Sequence, residues 1–164
     1  MTAPFRMAVK AADGTRSEGA CTEAQVARSL ATASSRGYTV EILPDGGFNV
    51  LREIPGKGCH VVKVTPVRKV RKLTRTVRSD LALIGTRRAA EFVPATGRIN
   101  AGYFSSIPPA ASADLMGQGL VTLAGNTVTV SLSARIAMLH QDSGHAPWSY
   151  KPTALELLRL VLAA

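Results

Sequence analysis

The run VRKVRKLTRTVR, residues 67–78, holds six cations (Arg68, Lys69, Arg71, Lys72, Arg75 and Arg78) and no carboxylate. Guanidinium and ammonium groups at this density suit phosphate: each contact is charge-assisted and releases a counterion condensed on the nucleic acid. The excess charge is also local. Between Lys57 and Arg88 there are ten cations, adding Lys57, Lys63, Arg87 and Arg88 to the six, against one acid, Asp80. That window nets +9, and so does the whole chain of 164 residues, because ten bases and ten acids balance outside it. A uniform excess of charge serves solubility, whereas a confined one marks a binding surface. Solvated helix faces usually mix signs to gain i,i+4 pairs, and six like charges in twelve positions repel instead.

Other chemistry is thin. HQDSGHA brings His140, Asp142, Ser143 and His145 together along the chain. A nucleophilic triad needs convergence in space around an oxyanion pocket, which adjacency in a loop does not supply. Cys59, His60, His140 and His145 lack the ligand spacing of a zinc site. PDGG and PGKG are turns and do not contain a phosphate-loop pattern. No enzyme activity, cofactor or metal is expected. Cys21 and Cys59 read as reduced thiols in a protein with no other sign of a secreted scaffold. The apolar ALELLRLVLAA is too short to span a bilayer and contains Glu156 and Arg159, so a cytoplasmic protein without membrane contact is expected. None of the eight aromatic residues lies between Lys57 and Arg88, which favours backbone recognition of duplex over base stacking.

The elements that must position the cations follow from periodicity. Residues 1–20 read as a loose segment. Thr22 caps a helix that Gly37 stops. YTVEIL, FNVLREI and CHVVKVTP alternate, separated by PDGG and PGKG, and predict a three-stranded antiparallel meander completing a unit over 21–66. Val67, Val70, Leu73, Val77, Leu81 and Ile84 then recur at three and four, with the cations off that stripe. This predicts a basic amphipathic helix from Pro66 to about Gly85, with a continued strand as its competitor. A short strand near Ile99, a helix over 110–118, two strands joined at Gly125 and Asn126, a helix capped by Ser133 and a last helix capped by Thr153 complete a region over 67–164.

The stretch ASADLMGQGLVTLAGNTVTVSLSARIAML resembles the closing segment of winged-helix DNA-binding domains, with the likeness covering residues 80–141. Residues 110–118 then stand for the recognition helix, 120–124 and 127–132 for the wing strands, and 134–141 for the following helix. The resemblance implies DNA binding. It departs from the family in the recognition helix, whose polar side chains are Ser112, Asp114 and Gln118 only, with no cation to reach base edges. TEAQVARSL is also similar to the second helix of a helix-turn-helix motif, but a strand pattern follows it.

The expectation is therefore an α+β chain: an N-terminal helix plus three-stranded antiparallel meander, then a winged-helix-like C-terminal half. Its expected role is non-catalytic DNA binding, regulatory or accessory, in a bacterium, phage or mobile element. Lys57, Lys63, Arg68, Lys69, Arg71, Lys72, Arg75, Arg78, Arg87 and Arg88 would hold duplex phosphates. The alternatives are an interaction module docking its basic helix on an acidic protein partner, or an RNA-binding component of a larger particle. Leu155, Leu158, Val161 and Leu162 on the last helix offer a homodimer contact.

Overall fold

The computed structural model describes residues 3–85, 90–102, 105–145 and 147–162. The first fifty residues after the start build most of one antiparallel sheet. Strand β1 (Phe5–Lys10) pairs with β2 (Arg16–Cys21); helix α1 (Glu23–Ser35) follows, then β3 (Thr39–Ile42), β4 (Phe48–Ile54) and β5 (Gly58–Pro66). The sheet order is β2-β1-β5-β4-β3. Phe5, Val40, Ile42, Phe48, Val50 and Val64 alternate onto one face and are buried. Each fully buried side chain of this size is worth roughly 1.5–3 kcal/mol. Val26, Leu30 and Ala33 of α1 cover that face.

The local rules hold for α1. Thr22 Oγ1 accepts from Gln25 N–H at 3.2 Å and Gln25 Oε1 accepts from Thr22 N–H at 2.8 Å, a reciprocal capping box. Gly37, at φ 69°, follows the helix end. In the PDGG turn, Gly46 at φ 88° is a position at which an L side chain would be strained.

The second sheet comprises β6 (Glu91–Val93), β7 (Arg98–Asn100), β8 (Ser106–Ile107), β9 (Val121–Ala124) and β10 (Thr127–Val130), in the order β8-β7-β6-β10-β9. Helices α2 (Arg75–Gly85) and α3 (Pro109–Gly117) bury Leu81, Ile84 and Leu115 against Ile99, Val128 and Val130. Ser112 of α3 is fully buried; its hydroxyl accepts from Ile99 N–H at 3.1 Å and donates to Ile107 O at 3.0 Å. Helix α4 (Leu132–Ser143) serves both cores: Leu132 and Ile136 face the first sheet, Ala134 and Ala137 the second. Helix α5 (Ala154–Leu162) returns to the first core with Leu157 and Leu160. A one-residue bridge of Tyr150 to Ile42 covers the free edge of β3.

The expected fold is corrected on three points. Residues 5–21 are a hairpin and not a loose segment, so the meander is the inner part of a five-stranded sheet. The cause is pairing: β1 lies along β5 from Phe5 opposite Pro66 to Lys10 opposite Val61. The C-terminal half is not winged-helix-like but a second five-stranded sheet. Its β9–β10 hairpin continues through β6 to β7 and β8. Finally, the basic tract is not helical from Pro66. It bends at Val67 and Arg68 and stays outside regular structure through Thr74, and the helix begins at Arg75. Val67 N–H donates to Pro4 O and Val70 N–H to Asp45 O, both at 2.9 Å, so tertiary partners occupy donors near the start of the tract. Valines and an unscreened charge row favour that outcome over a helix.

Candidate nucleic-acid interface

The tract is a cationic ribbon between the two sheets. Two apolar side chains anchor it, Val70 half-buried and Leu73 buried, both packed in the second core. Gln141 Nε2 of α4 donates to Leu73 O at 3.1 Å, and the Arg68 guanidinium donates to Gly117 O at the end of α3. With these pins and the two backbone bonds to Pro4 and Asp45, the ribbon is fixed along its length. Arg68, Lys69, Arg71, Lys72 and Arg75 are exposed. Arg68, Lys69 and Arg71 flank a groove of about 610 Å³ whose other wall is Gly117, Gln118 and Leu120.

Charge placement is unfavourable in the protein alone. Among the described residues, no carboxylate lies within ion-pair distance of these five cations. Arg75 opens α2, whose first turn contains no acid, so a cation sits at the positive end of the helix dipole. Asp80 does not relieve this. It is half-buried on α2, and burial pushes its carboxyl above the usual range. Arg78 is different, because its guanidinium pairs with Asp142.

The structure brings some of the expected residues together and separates others. Arg68, Lys69, Arg71, Lys72 and Arg75 share the ribbon and the start of α2, and Arg78 follows one turn later but is neutralised. Lys63 lies on the outward face of β5. Lys57 lies in the turn before β5, ten residues from Val67, so a strand rise of about 3.3 Å per residue puts it roughly 30 Å away. Arg87 and Arg88 lie outside the described residues.

The groups with catalytic appeal are engaged elsewhere. The His140 ring is buried and its Nε2–H donates to Trp148 O. Asp142 holds Arg78, Ser143 donates to His140 O, and His145 Nδ1 lies 2.9 Å from Ser143 O. Cys59 and His60 sit at the start of β5. Of the three polar side chains of the expected recognition helix over 110–118, Ser112 is committed to backbone groups, while Asp114 and Gln118, the latter just past the end of α3, are exposed and Gln118 lines the groove. On α5, Leu155, Leu158 and Leu162 are 56%, 49% and 71% exposed, whereas Val161 is half-buried against the first core.

Sequence reasoning missed Gly117 and Gln118 as the wall facing the ribbon. No local signal places them there, since the contact spans 49 positions. Comparison of the chain with protein-family models, curated proteins and solved structures finds no match. No helix among the described residues is long and apolar enough to cross a membrane.

Proposed function

We propose that this chain is a non-catalytic DNA-binding protein, regulatory or accessory in role, that grips duplex phosphates through the ribbon and the first turn of α2. One observation carries the reading: five exposed cations stand without carboxylates, and they lead into the positive end of a helix. That arrangement costs stability in the free protein, and a phosphate backbone relieves it. The backbone pins support it too, because cations on a fixed ribbon lose less conformational entropy on binding than cations on a free tail.

Five contacts contribute about 4.5 to the slope of log K against log salt, at roughly 0.9 per phosphate. Between 50 and 200 mM salt the ribbon alone therefore accounts for about a 500-fold loss of affinity. Fluorescence anisotropy with a 24-base-pair duplex of arbitrary sequence tests this. The variant Arg71→Ala, Lys72→Ala, Arg75→Ala should lower the slope by about 2.7 with its melting temperature retained. No binding at 50 mM salt, or an unchanged slope in the variant, refutes the reading. Tight capture of poly-glutamate with no binding of duplex would favour an acidic protein partner instead.

The exposed leucines of α5 support a homodimer built on Leu155, Leu158 and Leu162, which lie at three- and four-residue spacing on one side of the helix. A second copy would double the phosphate contacts. Sedimentation equilibrium tests it: Leu158→Lys should hold the mass at one chain, and a wild-type mass of one chain at all concentrations rules the dimer out.

A further inference from the structure

Helices cover one face of the first sheet; the other is open, and the register places its charges. Lys10 of β1 lies directly across from Arg16 of β2. Lys63 of β5 is opposite Ala8, one position diagonal from Lys10. Like charges facing each other across a strand pair are destabilising. Glu18 is the acid nearest them in the register, and it is taken: Arg6 Nη2 and Nε approach its Oε1 at 2.9 and 3.0 Å. Lys10, Arg16 and Lys63 make no ion pair among the described residues. They rim a groove of about 570 Å³ floored in part by Ala8 and Val61, both half-buried.

β5 leads directly into the ribbon: the strand runs to Pro66, Val67 N–H still bonds Pro4 O, and the chain bends at Val67 and Arg68 before the remaining cations. Lys63 and Arg75 are twelve residues apart, at most about 40 Å at 3.3 Å per residue. That is about 12 base pairs of duplex at 3.4 Å each. From Arg68 to Arg75 the reach is only about 23 Å, or about 7 base pairs.

We propose that the open face of the first sheet is a second phosphate-contact surface for the same duplex, with Lys10, Arg16 and Lys63 as its contacts. The inference rests on the DNA-binding reading of the ribbon. Phosphates suit the face better than bases, because it presents no aromatic platform for stacking, and its cations call for an anionic occupant.

The test compares wild type with Lys10→Gln, Arg16→Gln, Lys63→Gln on an 8-base-pair and a 24-base-pair duplex, reading the salt slope by anisotropy. On the long duplex the variant should lose about 2.7 from the slope, for three contacts. On the short duplex, filled by the ribbon, variant and wild type should coincide. The variant's melting temperature should be equal or higher, since a repulsive pair is gone. An unchanged slope on the long duplex overturns the second surface while leaving the ribbon standing. If wild type binds neither duplex at 50 mM salt, the ribbon falls and this face with it. If the variant loses binding of poly-glutamate but keeps the full duplex slope, the face belongs to an acidic protein, and the proposal is overturned.

Discussion

Replacing Asp142 by Asn should make the protein bind duplex more tightly. Asp142 lies in the last turn of α4, where a carboxylate meets the negative end of the helix dipole. Arg78 lies in the first turn of α2, where a cation meets the positive end. Each is misplaced on its own helix, and their pairing offsets both. The two side chains are 35% and 57% exposed, so the pair belongs to the solvent-screened class worth about 0.2–1 kcal/mol. Asn also removes the dipole penalty on α4, about 0.3–1 kcal/mol, so the net change in stability should be near zero. The electrostatic result is larger. Arg78 is three residues after Arg75 and so lies on the same side of α2. Once released, it adds a sixth phosphate contact, raising the salt slope by about 0.9 and affinity at 0.1 M salt by about 8-fold. Anisotropy titrations of both proteins on the 24-base-pair duplex, from 50 to 200 mM salt, measure both quantities. A slope that does not rise, in a variant melting within a degree or two of wild type, would show that Arg78 does not face the bound anion. The line from ribbon to helix would then be wrong.

Three further expectations concern the frame. A Cβ on Gly46 would stand 2.6 Å from Ser133 O, in a backbone conformation at φ 88°. Gly46→Ala should therefore cost more than about 3 kcal/mol in urea unfolding, against about 1–2 for Gly125→Ala, where φ is 63° but the space is open. Ser112→Ala should cost about 2–4 kcal/mol and speed hydrogen exchange of the Ile99 amide, because two buried backbone groups lose their partner. Glu156 accepts from Thr153 N–H at 3.0 Å and from Tyr150 O–H at 2.8 Å, and the backbone bond leads in holding its carboxyl below the usual range. A lowered carboxyl stabilises above the ordinary glutamate pKa and ceases to do so as pH falls through its folded value. Glu156→Gln should thus destabilise by about 1 kcal/mol at neutral pH, and the difference from wild type should shrink in acid unfolding.

Strongly local features were legible in the sequence. The capping box at Thr22, the stop at Gly37, the turn around Gly46 and the alternation of β3, β4 and β5 all depend on residues a few positions apart. The first hairpin was half legible: Phe5, Met7 and Val9 alternate, but β2 reads RSEGAC and is exposed almost throughout, so it shows no apolar period. Its strand state comes from pairing with β1. The ribbon shows the opposite difficulty. Val67, Val70 and Leu73 at intervals of three fit a helix, and they equally fit an extended chain with about three residues per turn. Charge density identified the candidate site, yet Arg78 could not be separated from its neighbours, because Asp142 lies 64 positions along the chain.

Helix α4 links this frame to the proposed chemistry. Leu132, Ile136 and Leu139 face the first core and Ala134, Ala137 and Met138 the second, so it is the seam on which both cores close. Arg135 braces that seam: its guanidinium donates to Leu160 O in the last turn of α5 and lies 3.6 Å from Glu23 of α1. Three supports of the cationic segment trace to the same helix. Gln141 holds the Leu73 carbonyl and Asp142 holds Arg78. The third is the turn whose Asp45 receives Val70 N–H; it fits against Ser133 only because Gly46 lacks a side chain. Loosening α4 should therefore let the ribbon move before either sheet unfolds. Affinity for duplex would fall through lost preorganisation, while the salt slope, which counts cations and not their rigidity, would stay where it was. A substitution such as Ala137→Gly, which weakens the helix by about 1 kcal/mol without touching a charge, separates the two quantities.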